Sequence, residues 1–216
     1  MPAAQPELST QRIEAFSDGV FAIAITLLIL EIKAPAPTGQ NGGLILLKAL
    51  LQLWPSYFTY VLSFVMIGIY WANHHYLFKL FKGTNHTFNL LNILFLMCIS
   101  FLPLPTLVLG QWVVDPDNRV TAVTFYAIGL TLPAAAWFLL WLYACRNKHI
   151  IDQRLDPAFL RRMTRQYLAS IALYLCAVAV SPLSANLGLA ICVGLTFLYL
   201  SPPRRPVYLQ EKAITE

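Results

Sequence analysis

Arg12, Phe16, Ser17 and Asp18 open the first apolar stretch of this chain, with Glu14 among them. Further on stand Trp71, His74, His75, Asn89 and Asn92. Groups of these types can do two things. An aspartate near histidines can pass a proton or gate an ion, because imidazole exchanges its proton near neutral pH. Donors gathered around a carboxylate can instead fasten helices together, since a carboxylate withdrawn from water needs hydrogen-bond partners. The fastening role is the plainer one, because adjacent His74 and His75 point to different faces of one helix. Other chemistry lacks its residues. The histidines (His74, His75, His86, His149) and cysteines (Cys98, Cys145, Cys176, Cys192) show no metal-ligand spacing. No Gly-x-Ser-x-Gly elbow, paired intramembrane carboxylates or phosphate-cradling glycine loop is present. The potassium-filter sequence Thr-Val-Gly-Tyr-Gly is absent as well. No enzyme, cofactor or bound metal is expected.

The elements that must position these groups follow from composition. The chain has 216 residues, of which 58% are hydrophobic and 12% charged, and its mean hydropathy is +0.62. A soluble domain carries about 25% charge, so this chain has too little polar surface to wet its outside. The apolar content excludes disorder. The cysteines lie unpaired within apolar runs, which excludes a disulfide scaffold. A net charge of +5 comes with too few Lys and Arg for a nucleic-acid binder. The class left is an integral membrane protein.

A bilayer core of about 30 Å takes roughly 20 helical residues. Ala49–Asn73, Thr87–Val114 and Val120–Cys145, counting His as a break, are charge-free windows of 25, 28 and 26 residues, each enough to span once. Gln166–Pro203 has 38 residues, too many for one crossing, and holds the turn-like Ser181-Pro182-Leu183-Ser184-Ala185-Asn186. With the opening stretch this predicts an all-α bundle of six spans, about 10–32, 47–73, 87–110, 120–145, 164–181 and 185–201. An even number puts both termini on one side. That side carries Arg12, Lys79, Lys82, the arginines and lysine of 146–165, Arg204, Arg205 and Lys212, twelve basic residues against Lys33, Lys48 and Arg119 on the other. The asymmetry makes the termini cytoplasmic. The longest cytoplasmic loop, Arg146–Arg165, is expected to rest on the membrane surface through its amphipathic part, Asp156–Arg165.

The opening stretch stands apart. Only 12 residues, Gly19–Leu30, separate Asp18 from Glu31; at 1.5 Å per residue that is about 18 Å, too short to cross. Ala34-Pro35-Ala36 resembles a signal cleavage site, but the leading segment is not basic: Arg12 stands against Glu7, Glu14 and Asp18. A single helix over 10–32 with charged ends fits better. Such charges persist where they face protein or water, so this helix is expected to line a polar interior. Ile23, Leu27 and Leu30 share one stripe of it; Gly19, Ala22 and Thr26 form a neighbouring small-residue stripe suited to close packing. An Ile/Leu stripe at this spacing is ordinarily core.

The run Arg12-x-x-x-Phe16-Ser17-Asp18 resembles the opening motif of the transmembrane protein 175 family, and the likeness continues through Gly19–Glu31. Trp71, His75, Asn89 and Asn92 are similar to polar positions of that family. Its members are potassium channels of animal lysosomes and of bacteria; a single six-helix repeat corresponds to the bacterial form. The resemblance implies a homotetramer in the bacterial plasma membrane, with four first helices around a central pore conducting potassium. It implies a gate of apolar rings at Ile23, Leu27 and Leu30, Thr26 at the pore or its wall, and Arg12, Phe16, Ser17 and Asp18 as the clasp holding that helix. Glu31 would draw cations to the outer mouth or pair with Lys33 or Lys48. The competing expectation is a proton-coupled transporter, or a proton-conducting channel, using Asp18 with His74 or His75.

Overall fold

The computed structural model describes residues 10–35, 42–201 and 205–209. Glu7, Ala36, Arg204 and Lys212 of the expectations above lie outside them. Among the described residues the chain is all-helical. Its order is α1 (Gln11–Leu27) continued by a 3₁₀ turn (Leu28–Glu31), α2 (Gly42–Gln52), α3 (Trp54–Phe78), α4 (His86–Phe101), α5 (Pro103–Trp112), α6 (Arg119–Arg146), α7 (Pro157–Val180) and α8 (Ala185–Tyr199).

The boundaries have local causes. Asn85, Asp156 and Ser184 cap α4, α7 and α8 by accepting from the backbone N–H groups of Phe88, Ala158 and Leu187, the usual way to satisfy a helix's first free donors. Proline at the first helical turn starts α3, α5 and α7. Among the described residues four helical stretches are long and apolar enough to cross a membrane: Gln11–Glu31, His86–Trp112, Arg119–Arg146 and Pro157–Val180. A fifth arises if Leu46–Gln52 and Trp54–Phe78, bent by 45° at their junction, count as one. At 15 residues, α8 is about 22 Å long, shorter than a full hydrocarbon core.

These bounds differ from the expected ones in several places, among them the stretch 87–110, which is divided at Leu102 into α4 and α5. The stretch 47–73 is broken at Leu53, and its second half runs on to Phe78, so His74 and His75 lie inside a helix. Treating histidine as a charged break ended it too soon. The segment Asp156–Arg165, expected as part of the longest loop, is instead the capped start of α7, continuous with the apolar helix.

Helix α6 forms the centre. Tyr126, Leu130, Trp137, Leu140, Trp141 and Ala144 are buried along it, and α4, α5, α7 and α8 all pack against it. Pro133 lies inside α6 without ending it. A Cβ on Gly129 would lie 2.5 Å from Pro105 Cγ, so glycine is what lets α5 and α6 touch. On the basic side three segments are laced together. Phe81 bridges Ile151 and Leu155 bridges Tyr208, both antiparallel. Asp152 ties the lacing: it accepts from Arg154 at 2.8 Å and pairs with Lys82 at 3.1 Å.

Candidate functional site

Helix α1 packs on α3 and α4 through a stripe of Ser17, Phe21, Ala24 and Leu28, all buried. Spacings of four, three and four residues are those of one helix face. Ser17 Oγ donates to Ile13 O at 2.7 Å and accepts from Asn92 Nδ2 at 3.0 Å. Asn92 Oδ1 accepts from His74 Nε2 at 3.0 Å. Ser17, Asn92 and His74 are buried, so one dry chain of hydrogen bonds joins α1, α4 and α3. The His74 ring stacks on Phe78 at 4.1 Å, with Phe21, Phe95 and Trp137 around it. A second joint lies one residue on: Trp71 Nε1 donates to Asp18 Oδ1 at 2.9 Å, and both residues are exposed.

Five of the residues expected in the clasp lie at these two joints. Ser17, Asp18, Trp71, His74 and Asn92 come together. Phe16 is 56% exposed, and His75 points outward on α3. Arg12 is exposed and makes no ion pair among the described residues. Asn89 lies one turn before Asn92, with its Oδ1 buried and unpartnered. No hydrogen bond joins Asp18 to either histidine. Sequence reasoning missed the aromatic cage of His74, because apolar side chains carry no directional signal. It also missed a buried hydroxyl cluster where Ser63 Oγ lies 2.7 Å from Thr106 Oγ1 and 3.2 Å from Tyr126 OH. Scattered hydroxyls in apolar runs have no spacing to betray them.

The opposite face of α1 is unpacked. Gly19, Ala22, Ile23, Thr26, Leu27 and Leu30 are all exposed, Ile23 by 61% and Leu30 by 70%. A Cβ on Gly19 would meet nothing within 4 Å. Thr26 Oγ1 bonds to Ala22 O at 2.8 Å and Ile23 O at 2.9 Å. The 3₁₀ turn over Leu28–Glu31 brings residues three apart into line, so Leu30 sits over Leu27. By the same geometry Glu31 sits over buried Leu28, half-buried, and lines a small cavity with Ser56, Thr59 and Thr106. It pairs with neither Lys33 nor Lys48.

This arrangement is a helix locked on one face by polar bonds and left bare and apolar on the other. Residues 12–103, from α1 to the start of α5, match the family model of the endosomal/lysosomal potassium channel TMEM175. A potassium channel of Chamaesiphon minutus is 40% identical over 200 residues, covering 92% of this chain and 97% of its own. The chain belongs to the TMEM175 family. A potassium channel of Streptomyces collinus is likewise 40% identical over 203 residues, covering 94% and 96%. The crystal structure of a lysosomal potassium-selective TMEM175 homologue from Chamaesiphon minutus superposes with a TM-score of 0.75 at 39% identity, over 88% of this chain and 96% of that one. TMEM175 proteins are ion channels and not enzymes, and the apolar helices make this member a multi-pass membrane protein. The clasp residues Ser17, Asp18, Trp71, His74 and Asn92 all fall within the matched region.

Proposed function

We propose that this chain is the subunit of a homotetrameric potassium channel in a bacterial plasma membrane, with four copies of α1 around the pore. The observation that carries the reading is the bare face of α1, where Ile23, Thr26, Leu27 and Leu30 are exposed while the opposite face is locked. Asp18 adds to it. An exposed carboxylate inside a spanning helix is costly against lipid and persists against water or protein. Four symmetry-related copies would supply the walls that one chain lacks.

Rings of Ile23, Leu27 and Leu30 would gate by dewetting, since a bare ion in a narrow apolar ring loses its hydration. The Thr26 hydroxyl spends its proton on its own helix's carbonyls, leaving oxygen lone pairs to stand in for water around a potassium ion. Glu31 is set back against α3 and α5 and would contribute charge at the outer mouth without lining it. Twelve of the fifteen Lys and Arg residues on the side of the chain ends support cytoplasmic termini. A proton route through Asp18 and His74 would need a link that the separate Asp18–Trp71 and His74–Asn92 bonds do not make.

Potassium flux into liposomes tests the gate. Ile23→Ser is expected to raise flux severalfold, and Leu187→Ser, on the outer face of α8, to leave it unchanged. Equal flux in Ile23→Ser and the unmodified chain would sink the gate, and pH-driven flux without potassium permeation would favour the proton route.

A further inference from the structure

A cavity of about 590 Å³ lies between α3, α6, α7 and α8, away from α1. Its lining changes character along its length. Arg162, Arg165, Asn73 and Ser201 lie at one end, and Met66 and Leu173 lie deeper. The direction follows from the fold: α3 and α8 finish on the side where α7 begins, so the late residues Asn73 and Ser201 meet the early residues Arg162 and Arg165. On α7 the lining residues Arg162, Arg165, Gln166, Ala169, Ser170 and Leu173 follow the spacing of one helix face. That face is basic at the membrane surface, then polar, then apolar. Both arginines are exposed and form no ion pair among the described residues.

We infer that this groove binds one anionic phospholipid from the leaflet on the basic side. Arg162 and Arg165 would hold the phosphate, and an acyl chain would lie between α3 and α7 toward Met66 and Leu173. Charge complementarity selects the occupant. Two unpaired guanidiniums at headgroup depth above an apolar groove match a phosphate carrying a hydrocarbon tail. A zwitterionic lipid would bring a second cation to the same place. The inference is independent of the pore, because no lining residue belongs to α1.

Native mass spectrometry of the full-length chain in detergent tests it, with phosphatidylglycerol and phosphatidylcholine of matched acyl chains as probes. Preferential retention of phosphatidylglycerol is expected, falling roughly 10- to 30-fold in the Arg162→Gln/Arg165→Gln double variant. Ala169→Trp, which fills the groove without changing charge, is expected to lose the lipid too, and decides the matter if the double variant does not fold. Excess inorganic phosphate should fail to displace the lipid. The inference is overturned if the two lipids bind equally, if Ala169→Trp retains phosphatidylglycerol, or if phosphate alone displaces it. It is also overturned if oxidation of Ala169→Cys joins two copies through the groove, which would make that face a contact between subunits.

Discussion

Ser17 and Asp18 are neighbours in sequence with opposite surroundings: one is buried on Asn92, the other exposed on Trp71. A helix turns about 100° per residue, so adjacent polar groups serve two partners. The same turn separates His74, inside, from His75, outside. The composition of this layer was legible in the sequence, because its residues are polar groups at matched depth in apolar runs. The pairing was not legible, since it depends on the angular phase of three helices. Asn92 is the hinge of the buried chain. Asn92→Ala leaves His74 Nε2 without its partner, while Ser17 keeps its bond to Ile13 O and loses only the donor to its oxygen; a buried unsatisfied polar group costs about 1–3 kcal/mol. Thermal unfolding in detergent should show the loss, with less assembled oligomer on size exclusion; an unchanged melting midpoint would remove Asn92 from the clasp. Asp18→Ala is expected to reduce assembled oligomer as well, and intact oligomer with altered current would make Asp18 a gating residue instead.

At the scale of elements, hydropathy found the apolar stretches, because the bilayer's thickness sets their length. It could not find the 45° bend before α3, which a proline at the helix start allows and packing fixes. Nor could it find the lacing of 80–82, 150–156 and 207–209, which is made by backbone groups far apart in the chain. Asp152 holds that lacing, and Arg154 followed by Lys82 keeps its carboxyl well below the usual carboxylate range. A depressed folded-state pKa gives a stabilisation that is complete above the unfolded value of about 3.9 and is lost as pH falls through the lower folded value. Protection of the amides of 150–155 against exchange, taken relative to each amide's intrinsic rate, should therefore hold at neutral pH and fall only in acid below about pH 4. Asp152→Asn should lower that protection at neutral pH and match the unmodified chain once Asp152 is protonated; equal protection in the two at neutral pH would show that the backbone bridges suffice alone.

For the whole molecule, one chain leaves an apolar helix face without a wall, so the assembly decides what that face does. Ile23→Cys is expected to give a disulfide-linked dimer on oxidation, whereas the native Cys98, Cys145, Cys176 and Cys192 should give none. Absence of that dimer in folded protein would place α1 away from a shared axis. A membrane-impermeant thiol reagent applied to intact cells should label Asp117→Cys and spare Lys148→Cys, and the reverse would invert the topology. The family resemblance was legible in a few residues of α1; the homotetramer is implied only through that resemblance, because contacts between subunits are written in surfaces. The 3₁₀ turn that follows α1 has a consequence at this scale. Three residues sweep a full circle at 3.0 per turn and roughly 300° at 3.6. Rewinding Leu28–Glu31 as α-helix would therefore swing Leu30 about 60° around its axis and draw it back by about 1.5 Å. Repeated in four subunits at once, that rotation would act as an iris whose aperture is set by hydrogen-bond register alone.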